Sequence, residues 1–133
     1  MTAAVTWRTA LLAAAALLIW IGTIGNAFVI VPDVHGDLVE LGIRPTVLNA
    51  AVDALHAAAL ADFAFAVILT WAAIQSARGI APSAVPLATI ALVSIVLGTL
   101  IFSRTHSPHH VAPIAMGILI VGALAVSFSR GDL

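Results

Sequence analysis

The chain has 133 residues, 62% of them hydrophobic and 8% charged, with a formal net charge of −1 and a mean hydropathy of +1.18. Soluble domains carry roughly 25% charged residues because their surfaces face water, so six acids and five arginines cannot coat a globule of this size. The near-neutral balance argues against nucleic acid as a partner. The absence of cysteine and lysine excludes disulfides, thiolate metal sites, iron–sulfur clusters, c-type haem attachment and lysine-based chemistry.

What remains is an all-α, polytopic integral membrane protein with a single domain over residues 1–133. A hydrocarbon core about 30 Å thick needs about 20 apolar residues per helix, and four runs qualify. The first covers residues 7–31. It is too long for the apolar part of a signal peptide and reads as a retained helix. Pro32 and the polar stretch Asp33-Val34-His35-Gly36-Asp37 are expected to stop it. Residues 38–42 then form one or two interfacial turns ending at Gly42.

Pro45 and Thr46 open the second span, which continues to Ser76 and, at about 30 residues, must tilt or protrude. Residues 78–82 make a tight connection. The third span covers residues 85–103. Ser107 and Pro108 mark the start of the fourth, as N-cap and first helical residue, and it runs to Phe128, with a short tail after it. Because all three connections are short, the expected architecture is an up-down-up-down bundle of four transmembrane helices.

Arg8, Arg78 and Arg130 fall on one side of such a bundle, and Arg44 and Arg104 on the other. Three against two orients the termini toward the cytoplasm by the positive-inside rule. Alternation also places the first and third loops on one side, so His35, Asp33 and Asp37 share a membrane face with His106, His109 and His110.

The second span carries most of the polar residues. Asn49, Asp53 and His56 recur at i, i+4 and i+7, within roughly 60° of each other on a 3.6-residue helix, and form one polar stripe. Asp62 points elsewhere. With Trp71 as an inner interfacial anchor, the outer boundary falls near Asp53, His56 lies one turn inside the hydrocarbon, and Asp62 lies near the midplane. An ionisable side chain at that depth costs at least about 2.5–3.5 kcal/mol on insertion scales and faces the bundle interior. Asp62 is therefore either a hydrogen-bonded glue between helices, with Trp20 or Thr23 of the first span as partner, or a proton or ion relay.

Neutral imidazole is a common ligand for zinc, copper and iron, and carboxylates complete or orient such sites. Asp53, His56, His106, His109 and His110 form the candidate metal set, and His56 with His109 or His110 could instead hold haem b as axial ligands. No tight ligand motif is present, and solvated loop histidines are the plainer reading of each residue alone. Catalytic motifs are absent. Ala15, Gly22 and Asn26 on the first span, and Ala115, Gly122 and Ser129 on the fourth, read as packing faces.

Three functions are compatible with these residues. The first is an accessory or binding subunit with an outer-side His/Asp site for zinc, copper or haem. The second is a proton-coupled small-molecule transporter or channel using Asp62. The third is a purely structural subunit. The expected partners are the lipid bilayer and either further copies of the chain or a larger membrane complex.

Overall fold

A computed structural model describes residues 3–106 and 110–128. Over these residues it is helical throughout apart from short turns. Helix α1 spans Ala3–Gly25, α2 Val31–Glu40, α3 Pro45–Ala77, α4 Ala84–Thr105 and α5 Val111–Phe128. Three helices are long and apolar enough to cross a membrane, Val5–Glu40, Pro45–Ala77 and Ala84–Thr105, and Val111–Ser127 is a shorter apolar helix.

Pro32 does not end the first helix, contrary to the expectation from sequence. A π-helical turn, Asn26–Ile30, joins α1 to α2 without a break. In a regular α-helix the Pro32 ring would clash with the carbonyl of Phe28 and leave one carbonyl unpaired. The π turn widens the spiral just before that point, and the Val31 N–H donates to the Asn26 carbonyl, five residues back. Pro32 thereby falls in the first turn of α2, where a missing N–H costs nothing.

The turns that do end helices use left-handed residues. Gly42, at φ +66°, closes α2: its N–H bonds to Val39 and the Ile43 N–H reaches back to Leu38. Gly79, at φ +79°, closes α3 by the same pair of bonds, to Ser76 and from Ile80 to Gln75. This two-bond C-cap needs a positive φ just past the helix, which only glycine adopts without strain.

Helix α1 is the centre of the assembly. It packs along α3 on one side and α5 on the other, α4 packs along α5, and α3 and α4 meet only sparsely. The core joins Leu12, Ala15, Ala16 and Ile19 of α1, at helical spacing, to Ala66, Leu69 and Ala72 of α3, Leu87, Ile90 and Ala91 of α4, and Met116, Ile120 and Ala123 of α5. Lipid tails are as apolar as leucine, so van der Waals fit and polar contacts hold such helices together. The closest fit is between α4 and α5. A Cβ on Gly98 would lie 2.8 Å from Ile114 Cγ1, and one on Gly117 would lie 2.5 Å from Ile95 Cγ1 and 2.9 Å from the Ala91 carbonyl oxygen.

Two of the expected small-residue positions prove ordinary. Gly22 has open space beside it, and Gly122 meets Leu11 at a normal contact distance of 3.5 Å. Ser129 lies outside the described residues.

The contacts also fix the levels of the helices. Arg8 meets Ser76, Asn26 meets Asp62, Leu11 faces Gly122, and Gly98 faces Ile114, so successive neighbours run antiparallel. Counting along these pairs, the first residue of α5 stands level with about residue 22 of α1, and the last turn of α4 with about residue 27. Beyond that level only the first helix and the start of α3 continue. Among the described residues, neither the π turn nor α2 approaches α4 or α5; α2 packs on α3 alone. The two helices thus form an arm about 20 Å long, at 1.5 Å per residue. Val34 and Leu38 of α2 face Leu48, Val52 and Leu55 of α3 by their partial burial at helical spacing.

Candidate functional site

The polar side chains within the four-helix region are joined across α1 and α3 at three levels. At the level where α1 begins and α3 ends, Arg8 is 4% exposed. Its Nε donates to Ser76 Oγ at 2.9 Å, one of its Nη groups reaches the Ile80 carbonyl at 3.5 Å, and Ser76 Oγ is also 2.8 Å from the Thr9 hydroxyl. The guanidinium sits at the C-terminus of α3, where the unpaired carbonyls and the helix dipole favour a cation. That position explains how, among the described residues, a buried arginine is held by neutral acceptors.

One level further on, the Trp20 indole N–H donates to the Thr70 hydroxyl at 3.0 Å. The Thr70 hydroxyl in turn donates to the Ala66 carbonyl at 2.7 Å. The Trp20 ring meets Phe63 edge to face, with centroids 5.5 Å apart, the preferred aromatic geometry.

At the third level the Asn26 amide donates to a carboxylate oxygen of Asp62 at 3.0 Å. Asp62 therefore faces the first helix, as expected, but through a different partner. Trp20 is taken by Thr70, and Thr23 bonds back to the Ile19 carbonyl at 2.8 Å. Its level also differs from expectation. Paired with the first residue of the π turn, Asp62 stands beside the last turn of α4, not midway along the helices.

The polar stripe predicted on α3 is present, with Asn49, Asp53 and His56 all exposed, and it lies on the arm. His106 serves as the left-handed C-cap of α4, at φ +52°. Its N–H donates to the Phe102 carbonyl at 2.8 Å, and its ring meets the Phe102 ring at 6.1 Å. Histidine is among the non-glycine residues that tolerate this conformation. His110 precedes α5 and is partly buried. His109, with Ser107 and Pro108, lies outside the described residues.

The candidate ligands are therefore dispersed in what is described. His56 belongs to α3 and His110 borders α5, and these two helices make no close backbone approach. Among the described residues no three histidine, aspartate or glutamate side chains lie together closely enough to share a metal ion. A shallow groove of about 430 Å³ between α1 and α3 is lined by small and apolar residues with Trp20 and Thr70 at its side; it offers no titratable group.

Sequence reading missed the Arg8–Ser76–Thr9 cluster, since Arg8 reads there only as a topological marker. The one available signal was an arginine a full turn inside the first helix, level with the end of α3. Comparison with known protein families, curated proteins and solved structures finds no match.

Proposed function

We propose that the chain is an integral membrane protein of four crossing helices whose role is to bind and assemble with another component, not to catalyse or transport. One observation carries this reading: the buried polar side chains of the helical body are bonded inside the chain, while four of its exposed carboxylates, Asp33, Asp37, Glu40 and Asp53, gather on a two-helix arm and the exposed Arg78 and Arg104 stand at helix ends. Among the described residues no buried side-chain nitrogen or oxygen lacks a hydrogen-bond partner. Such pairing is what helix-to-helix glue in a membrane bundle requires.

Helix α4, with 22 residues, spans about 33 Å and matches the hydrocarbon thickness. Placed with α4 and α5 across the bilayer, the chain puts the Arg8 cluster at one interface and the Asn26–Asp62 pair at the other. The arm then reaches about 20 Å past the hydrocarbon, more than the headgroup layer of roughly 5–8 Å on each side. Its tip stands in water on the side of the α4–α5 connection. The arginine distribution orients the other side, with both termini, toward the cytoplasm.

Migration on native gels after mild detergent extraction from the source membrane tests this reading. The chain should run in an assembly larger than the one it forms when made alone. Equal sizes in both preparations, together with proton-linked flux in liposomes lost in Asp62→Asn, would replace the assembly reading with the transport one.

A further inference from the structure

We infer that the tip of the α2–α3 arm is a docking surface for a protein partner presenting an apolar face flanked by lysine or arginine. This deepens the assembly reading and rests on it. The arm carries Asp33, Asp37, Glu40 and Asp53 against a single arginine, Arg44, and all five side chains are exposed. Val39, Leu41 and Val47 lie on the same arm at 52%, 74% and 49% exposure. Apolar side chains at this height lie beyond the lipid that covers the exposed leucines and isoleucines of the helical body, so lipid does not explain them.

Two helices are also more than a loop needs. α2 and the first part of α3 pack on each other through Val34 and Leu38 against Leu48 and Leu55, and no other described element supports them. The result is a two-helix platform whose flanks no other described element covers. On α2 the flanks differ: Asp33, Asp37 and Glu40 recur at 4 and 3 residues and share one side.

Charge decides the occupant. A second copy in the same bilayer presents the same acidic arm, and like charges set against each other disfavour that pairing. An anionic membrane surface repels it for the same reason. A basic, amphipathic protein surface satisfies both components, because its apolar face covers Val39, Leu41 and Val47 while its cations meet the carboxylates.

The test uses the full chain in its native membrane, with a photo-crosslinking amino acid at Leu41, at Val47, or at the lipid-facing Leu92 of α4, which is 64% exposed. One protein adduct should form from both arm positions and not from Leu92. After identification, that partner should bind the purified chain in nanodiscs at least tenfold more weakly when Asp33→Asn, Asp37→Asn and Glu40→Gln are combined, and again at high salt. All three residues are exposed, so unchanged thermal unfolding will show that the triple variant is folded. An adduct of twice the chain's mass, lipid adducts alone, or a partner indifferent to the triple substitution would each overturn the inference. If the native-gel complex persists while the arm yields no adduct, only the docking site is wrong; if no complex exists, the assembly reading itself fails.

Discussion

Asn26 and Asp62 are joined by a 3.0 Å hydrogen bond at the point where the helical body gives way to the arm. Asn26 is also the residue whose carbonyl accepts the five-residue bond of the π turn. One side chain thus ties α3 to the first helix where that helix changes its winding. π turns are frequent at functional positions. Here the turn sets the phase of α2, and so decides which residues of the arm face α3.

The pair can be measured by a double-mutant cycle. Interhelical hydrogen bonds in membranes average about 0.6 kcal/mol and reach about 1.7 kcal/mol, so Asn26→Ala should lower unfolding stability in detergent by that order. Asp62→Leu should cost more, about 1–3 kcal/mol, because it leaves the Asn26 amide without its acceptor. Asp62→Asn should be tolerated, since its carbonyl oxygen still accepts. A coupling energy indistinguishable from zero between positions 26 and 62 would show that the contact contributes nothing.

The α4–α5 crossing gives a sharper test. Gly117→Ala places a methyl group 2.5 Å from Ile95 and 2.9 Å from a backbone oxygen. A side chain can turn away but the backbone cannot, so the helices must separate. Overpacking of this kind costs about 1–3 kcal/mol. Gly98→Ala should cost slightly less, and Gly122→Ala, with 3.5 Å of room, should be close to neutral. Shortening Ile95 to Ala should rescue Gly117→Ala only in part, because the Ala91 oxygen stays. Equal melting temperatures for the three glycine variants would contradict the packing described.

The apolar helices, three long and one shorter, the turns at Gly42 and Gly79 and the inward-facing Asp62 could be read from the sequence, because each follows from a local rule of hydropathy, positive φ or desolvation. Pro32 misled because proline breaks a regular helix, and the remedy, a π turn before it, leaves no compositional trace. The level of Asp62 among the helices differs from expectation for a related reason. Counting back from Trp71 assumes that α3 begins level with its neighbours, whereas nearly half of it continues into the arm. The candidate histidines were gathered by topology alone. Which helices are neighbours is a property of packing, and α3 and α5 lie on opposite sides of α1.

The Arg8 cluster predicts an asymmetry between its members. Ser76 accepts from Arg8 and also pairs with Thr9, so Ser76→Ala removes two contacts and leaves a buried guanidinium short of an acceptor. Hydrogen bonds to charged groups are worth about 1.5–3 kcal/mol, and Ser76→Ala should lose about that much. Thr9→Ala should lose less than half of it, because the Arg8–Ser76 bond survives. Arg8→Lys should not restore stability, since an ammonium lacks the side-mounted Nε–H that meets Ser76. Thermal unfolding of the three variants in one detergent ranks them directly, and a ranking with Thr9→Ala worst would overturn this account.

Topology and arm height can be tested together, because the chain has no native cysteine. Single cysteines at Gly36, Asp53 and His56 should react rapidly with a membrane-impermeant thiol reagent, and from the same side as a cysteine at His106. A cysteine at Ala66, 0% exposed in the core, should not react in the folded protein. The contrast at His56 is the informative one. A second span that begins at Asp53 would place His56 one turn inside the hydrocarbon and slow its labelling by orders of magnitude. On the arm it stands about 7–8 Å beyond the last turn of α4, since it lies about five residues further out at 1.5 Å each, and should label as fast as Asp53. Protection at His56 with free reaction at Asp53 would mean that the bilayer rises around the base of the arm. The aqueous platform, and the docking surface with it, would then shrink to the turn between α2 and α3.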